Sequence, residues 1–119
     1  MDRRQIGILG ETEAARYYRS RGYQLLAANF RTRQGEIDLI VEKNGCLVFA
    51  EVKTRAENSR IEAREAVTPG KQKKLLAAAG AYLGHLSREP QNVRFDVVEV
   101  YHRMGAVTKV CCIENAFGE

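Results

Sequence analysis

The chain has 119 residues, 45% of them hydrophobic and 29% charged, with a formal net charge of +4. That is the length and make-up of one ordinary soluble domain, able to bury a core without staples, and its longest apolar run falls far short of the roughly 20 residues of a membrane span. Two His and three Cys form no zinc-type ligand cluster, so any metal must be held by oxygen; an odd cysteine count with Cys111 and Cys112 adjacent suits a reducing cytoplasm.

Acidic residues interrupt the basic start "MDRRQIGILGETEAAR" before any signal-peptide core develops. Over about 5–21, Ile6, Leu9, Ala14, Tyr17 and Tyr18 recur at helical spacing, and Gly22 stands where a C-cap belongs. "YQLLAANF" at 23–30 reads as a strand. "EIDLIVE" and "CLVFAEVK" read as two more, with Asn44 and Gly45 between them as a hairpin turn. "TRAENSRIEAREAV" is polar, lacks strand alternation and reads as an exposed loop. Thr68 and Pro69 then start a helix, as N-cap and first residue, predicted to run to about Leu86. Its apolar face would be Leu75, Leu76, Ala79, Tyr82, Leu83 and Leu86. "VRFDVVEVY" and "VTKVCCI" close the chain as a hairpin through Met104 and Gly105. The order α-β-β-β-α-β-β predicts an α/β domain over 1–119, a mixed sheet with helices packed on it.

The charged residues set inside the apolar strands carry the functional argument, because buried charge is costly unless compensated. A two-residue turn at Asn44 and Gly45 sets Lys43 opposite Cys46. The same register sets Asp38 opposite Glu51 and Glu36 opposite Lys53, all four on one face, while Ile37, Leu39 and Val41 go to the other with Val48, Ala50 and Val52. Opposed carboxylates repel, and a divalent cation such as Mg²⁺ or Mn²⁺ between them removes the cost. Lys53 is placed to orient an attacking water or to stabilise a phosphoryl transition state. Surface pairing of acid and base on a solvated strand face is the competing explanation. Basic residues flank this cluster: Arg31 and Arg33 before it, Arg55, Lys71 and Lys74 after it. They could hold a polyanion while its chemistry happens at the carboxylates.

Glu11, Lys71 and Asp96 each have a plainer reading: a helix-dipole acid, a solvated first-turn base, and a structural partner of Arg94 or Arg31. Tyr17, Tyr18 and Tyr82 read as core residues, and His85 and His102 as ordinary ones.

The segments "GILGETEAARYY", "GYQLLAANFRTRQGEIDLI", "VFAEVKTR", "EAVTPGKQKKL", "RFDVVEV" and "ENAF" resemble the YraN-like family of small bacterial proteins. The resemblance implies a restriction-endonuclease-like fold, shared with archaeal-type Holliday junction resolvases. It also implies their motif of a helical acid, a strand Asp and E-x-K. Carried onto this chain, those are Glu11, Asp38, and Glu51 with Lys53, with Glu36 as an additional acid. Metal would then be held by Asp38 and Glu51 with help from Glu11 or Glu36, and Lys71, opening the second helix, stands where nuclease folds of this type often place an auxiliary polar residue. Ala50 stands where the family usually has a bulkier Val, and "AENSRIEARE" lacks its Phe-Gly pattern. The function implied is a Mg²⁺-dependent, structure-selective DNA endonuclease in the cytoplasm, free of membrane. Cutting both strands of a branched DNA would call for a homodimer. The rival is a non-catalytic module that binds nucleic acid or a protein through the same flanks, its nuclease site vestigial.

Overall fold

Asp2 opens the first helix, α1 (Arg3–Ser20). Its side chain accepts from the Gln5 amide while the Gln5 side chain accepts from the Asp2 amide, a reciprocal cap that starts the helix two residues ahead of its apolar stripe. Gly22, at φ +87°, makes the reversal that follows Arg21. The computed structural model describes residues 1–58 and 67–117. Five strands follow α1: β1 (Gln24–Arg31), β2 (Glu36–Lys43), β3 (Cys46–Ala56), and, beyond α2 (Pro69–Leu83), β4 (Asn92–Arg103) and β5 (Ala106–Ile113). They form one mixed sheet in the order β1-β2-β3-β4-β5, antiparallel except for the parallel pair β3 and β4. Parallel neighbours need a crossover, and α2 lies on it. The predicted α/β order is the one found.

Two boundaries and one helix face differ from the sequence expectation. β3 runs on to Ala56, through residues predicted as loop, because β4 pairs with it as far as His102 opposite Ala56. Of the rest of that expected loop, 59–66 lie outside the described residues. α2 starts as predicted, with Thr68 accepting from the Lys71 amide and Pro69 in the first turn, but ends at Leu83. Its buried stripe is Leu75, Ala78 and Ala79, with Leu76 44% exposed, because the sheet lies a step round the helix from the predicted face.

Each helix covers one face of the sheet. Ala14, Ala15 and Tyr18 of α1 pack with Leu39, Val41, Val48, Ala50, Val98 and Val100. Leu75, Ala78 and Ala79 of α2 pack with Ile37, Ile40, Leu47, Phe49 and Val97. Ile37 therefore departs from Leu39 and Val41, against the expectation that all three share a face. The break in alternation falls at Asp38. Opposite it, between the pairs Ala28 with Leu39 and Phe30 with Ile37, Asn29 of β1 adopts φ +52°. A short amide tolerates that left-handed conformation.

Asp96 pairs with Arg94, as anticipated, and is fully buried. Arg94 donates twice to it, and Tyr18 Oη and the Asn115 amide donate as well, tying α1, β4 and the chain after β5 together. Among the described residues, no helix is long and apolar enough to cross a membrane.

Candidate active site

The β2–β3 hairpin turns as the sequence predicts. Asn44 and Gly45 take φ +51° and +79°, and five pairs follow in the expected register, from Lys43 with Cys46 to Leu39 with Ala50. There the ladder stops. In place of the next pair, Asp38 Oδ2 accepts the Val52 amide at 2.7 Å, so a side chain caps a donor that strand pairing would have used. This brings the Asp38 carboxylate to Glu51, within hydrogen-bonding reach of its carboxyl.

Glu51 is 7% exposed. Burial, and then Asp38, push its carboxyl up to about 8, opposed by Lys71 and Lys53. Lys71 comes from the first turn of α2, with Nζ 3.5 Å from Glu51 Oε1. Lys53, two residues along β3 and half-buried, is held below the ordinary lysine range by burial and by Lys71. Asp38, Glu51, Lys53 and Lys71 thus form one mutually interacting cluster, positioned by the opened end of β2, the middle of β3 and the start of α2.

Glu36 is not part of it. The hairpin ladder does not reach Glu36 and Lys53; Glu36 pairs instead with Arg31 across β1 and β2, in an exposed contact of 3.4 Å. Glu11 lies on α1, over the opposite face of the sheet. Its carboxylate accepts from Asn29 Nδ2 at 3.1 Å, and partial burial raises its pKa, with Asp38 and Glu36 adding to the rise. Among the described residues, no three His, Cys, Asp or Glu side chains gather into a metal-holding group. Of the expected metal set, Asp38 and Glu51 come together, while the Glu11 carboxylate is bonded to Asn29.

Beside the cluster runs a groove of about 660 Å³ between the β1–β2 turn and α2. Arg31, Arg33, Lys71 and Lys74 line it, so four of the five expected anion-binding residues share one concavity. The turn that presents two of them is stiff. Thr32 Oγ1 accepts from the Gln34 and Gly35 amides, and the Thr32 amide donates to the Gly35 carbonyl. Gly35 seats directly on α2: a Cβ there would meet the Lys74 carbonyl oxygen at 2.6 Å. Arg55 stands apart near Tyr101, its Nε buried without a hydrogen-bond partner among the described residues.

Residues 10–100, which hold the acidic cluster and the groove, match the model of "Uncharacterised protein family UPF0102". The chain belongs to that family. A UPF0102 protein of Symbiobacterium thermophilum is 45% identical over 96% of this chain and 97% of its own length. One of Syntrophomonas wolfei is 44% identical over 96% and 98%, and one of Chlorobium phaeobacteroides 42% identical over 86% and 80%.

Two features of the site in this UPF0102 chain escape its sequence. The partner of Lys71 is one: the sequence marks it as a first-turn base, but nothing local reports that the start of α2 lies over Glu51. Asn29 reads as an ordinary strand residue, although an asparagine inside an apolar strand is a signal for positive φ.

Proposed function

We propose that this chain is a Mg²⁺- or Mn²⁺-dependent endonuclease that hydrolyses phosphodiester bonds in branched DNA, a resolvase-like enzyme. The observation that carries the reading is the meeting of Asp38 and Glu51 where the β2–β3 ladder opens. A buried carboxyl set against another carboxylate is costly, and a hard divalent cation removes that cost. The donor chemistry fits such an ion, which is commonly bound through one or two carboxylates and fills its other positions with water and phosphate oxygens. Asp38 and Glu51 would hold it, with Glu11 adding negative potential from across the sheet.

A bound cation supplies Lewis-acid polarisation of the phosphodiester. The chain's own residues supply the remaining work. Lys53 orients the attacking water and offsets the charge that grows on the phosphate oxygens, in a half-buried setting where such interactions are strengthened. Arg31, Arg33, Lys71 and Lys74 hold the neighbouring phosphates in the groove. Selectivity for branched DNA and action as a homodimer extend the family resemblance and await the substrate test.

One observation favours the second reading, a non-catalytic binding module: Lys71 already offsets the charge of Glu51 without any metal. Incubation of purified protein with single-stranded, duplex, flap and four-way DNA in Mg²⁺ or Mn²⁺ separates the two. Cleavage by wild type that disappears in Lys53→Met and Asp38→Asn supports the enzyme. Intact DNA in all four forms and both metals sinks it in favour of the module.

A further inference from the structure

One side chain belongs to both halves of the site. Lys71 reaches Glu51, interacts with Lys53, and also lines the groove with Arg31, Arg33 and Lys74. Its surroundings are asymmetric. The Glu51 side chain is 8% exposed and fixed within the sheet, whereas that of Lys71 is 41% exposed on a flexible four-carbon stem. The backbone that launches the lysine is anchored, by Thr68 Oγ1 accepting the Lys71 amide and by Gln72 Nε2 donating to the Val67 carbonyl. Only the side chain has freedom.

We propose that Lys71 is a positioning residue that occupies Glu51 in the free protein and is drawn into the groove by a substrate phosphate, which opens Glu51 to the metal. This rests on the nuclease reading above. A divalent cation on Glu51 would stand beside an ammonium now 3.5 Å from that carboxyl. Whether the Asp38 and Glu51 pair starts with a shared proton or without one, the cation adds positive charge to the site. A lysine that stays in place therefore opposes metal binding in either case. Lys53 and Lys71 are also like charges within reach of each other, so moving Lys71 relieves both. A phosphodiester in the groove offers the ammonium an anionic partner with several acceptor oxygens. Metal and DNA then bind with positive coupling, and each raises affinity for the other by the same factor. Free metal loads the site about tenfold more weakly until DNA arrives.

Calorimetric titration of Mn²⁺ into wild type, Lys71→Met and Lys71→Arg tests this, alone and with a saturating phosphorothioate duplex that resists cutting, Mn²⁺ binding by the duplex itself being subtracted. Without DNA, Lys71→Met is expected to bind Mn²⁺ about tenfold more tightly than wild type, within the usual range of coupling between sites. Wild type should gain that factor when DNA is added, Lys71→Arg should keep the gain, and Lys71→Met should lose it. Equal Mn²⁺ affinity in wild type and Lys71→Met, with Asp38→Asn weakened, overturns the role of Lys71 and leaves the nuclease reading standing. Absence of Mn²⁺ binding to wild type and Lys71→Met, with DNA or without it, overturns both. Should Lys71→Met melt well below wild type in EDTA, Lys71→Gln replaces it and is read in the same way.

Discussion

Asp96 on β4 and Glu51 on β3 stand on neighbouring strands, both buried and on opposite faces of the sheet. Asp96 is saturated: Arg94 donates at 2.8 and 2.9 Å, Tyr18 Oη at 2.8 Å and the Asn115 amide at 3.1 Å. Glu51 meets another carboxylate, and its ion pair with Lys71, at 3.5 Å, is longer than a good charge-assisted hydrogen bond. Burial alone does not distinguish the two acids. The difference is whether the protein has supplied all of their partners. A fully partnered buried acid is a strut, and one left facing a like charge is a place kept for something else.

The largest expected effect breaks the strut. Asp96→Ala leaves the Arg94 guanidinium without its buried partner and should cost about 3–5 kcal/mol. Equilibrium urea unfolding measures it, and a loss below about 1 kcal/mol would erase the contrast between the two acids.

The second effect reverses that direction with pH. A carboxyl whose folded pKa is raised holds its proton in the folded chain after the unfolded chain has released it. The contribution of Glu51 is thus complete below its ordinary 4.5 and is lost as pH climbs to about 8. In EDTA, wild type should lose stability relative to Glu51→Gln across that window, with a ceiling of about 1.4 kcal/mol per pH unit for one proton. Parallel stability curves for the two proteins would return Glu51 to the class of Asp96.

Metal provides the third effect. Mn²⁺ at ten times its Kd should stabilise wild type by about 1.4 kcal/mol, a shift that Asp38→Asn mostly removes and that a mutation at the Asp96 cluster leaves in place. Thermal melts with and without the ion read it directly.

The smallest effect is the most diagnostic. In EDTA above about pH 8, where Glu51 has released its proton, Asp38→Asn keeps an acceptor for the Val52 amide and removes one of two like charges. It should melt at or above wild type, by a few tenths to about 1 kcal/mol. A clear loss of stability would mean that the carboxylate, like Asp96, is held there for structure.

The sequence carried the strands and the hairpin register well, since Asn44 and Gly45 dictate a turn whose pairing follows by counting. It did not carry the point where that pairing fails. Counting extends a ladder indefinitely, and it placed Glu36 opposite Lys53. The interruption depends on Asn29 in a third strand and on Asp38 substituting its side chain for a backbone partner. The exposure of Leu76 and the extension of β3 to Ala56 escaped for the same reason: each is fixed by a neighbour distant in sequence. Asp38, Glu51 and Lys53 were legible because charge inside apolar strands is conspicuous. Lys71 was singled out as a first-turn base, but its contact with Glu51 was not legible, because that target lies across a crossover.

The turn at 32–35 has a mechanical consequence. Its internal hydrogen bonds resist bending, and Gly35 sits on the Lys74 carbonyl with no room for a single added carbon. Turn and helix start therefore behave as one jaw, with Arg31 and Arg33 mounted on one side and Lys71 and Lys74 on the other. A strand pulling on any of the four loads the others rather than spreading the groove. The span from grip to carboxylates is then a fixed gauge, and a Gly35→Ala protein would be expected to lose its calibration before it lost its hold.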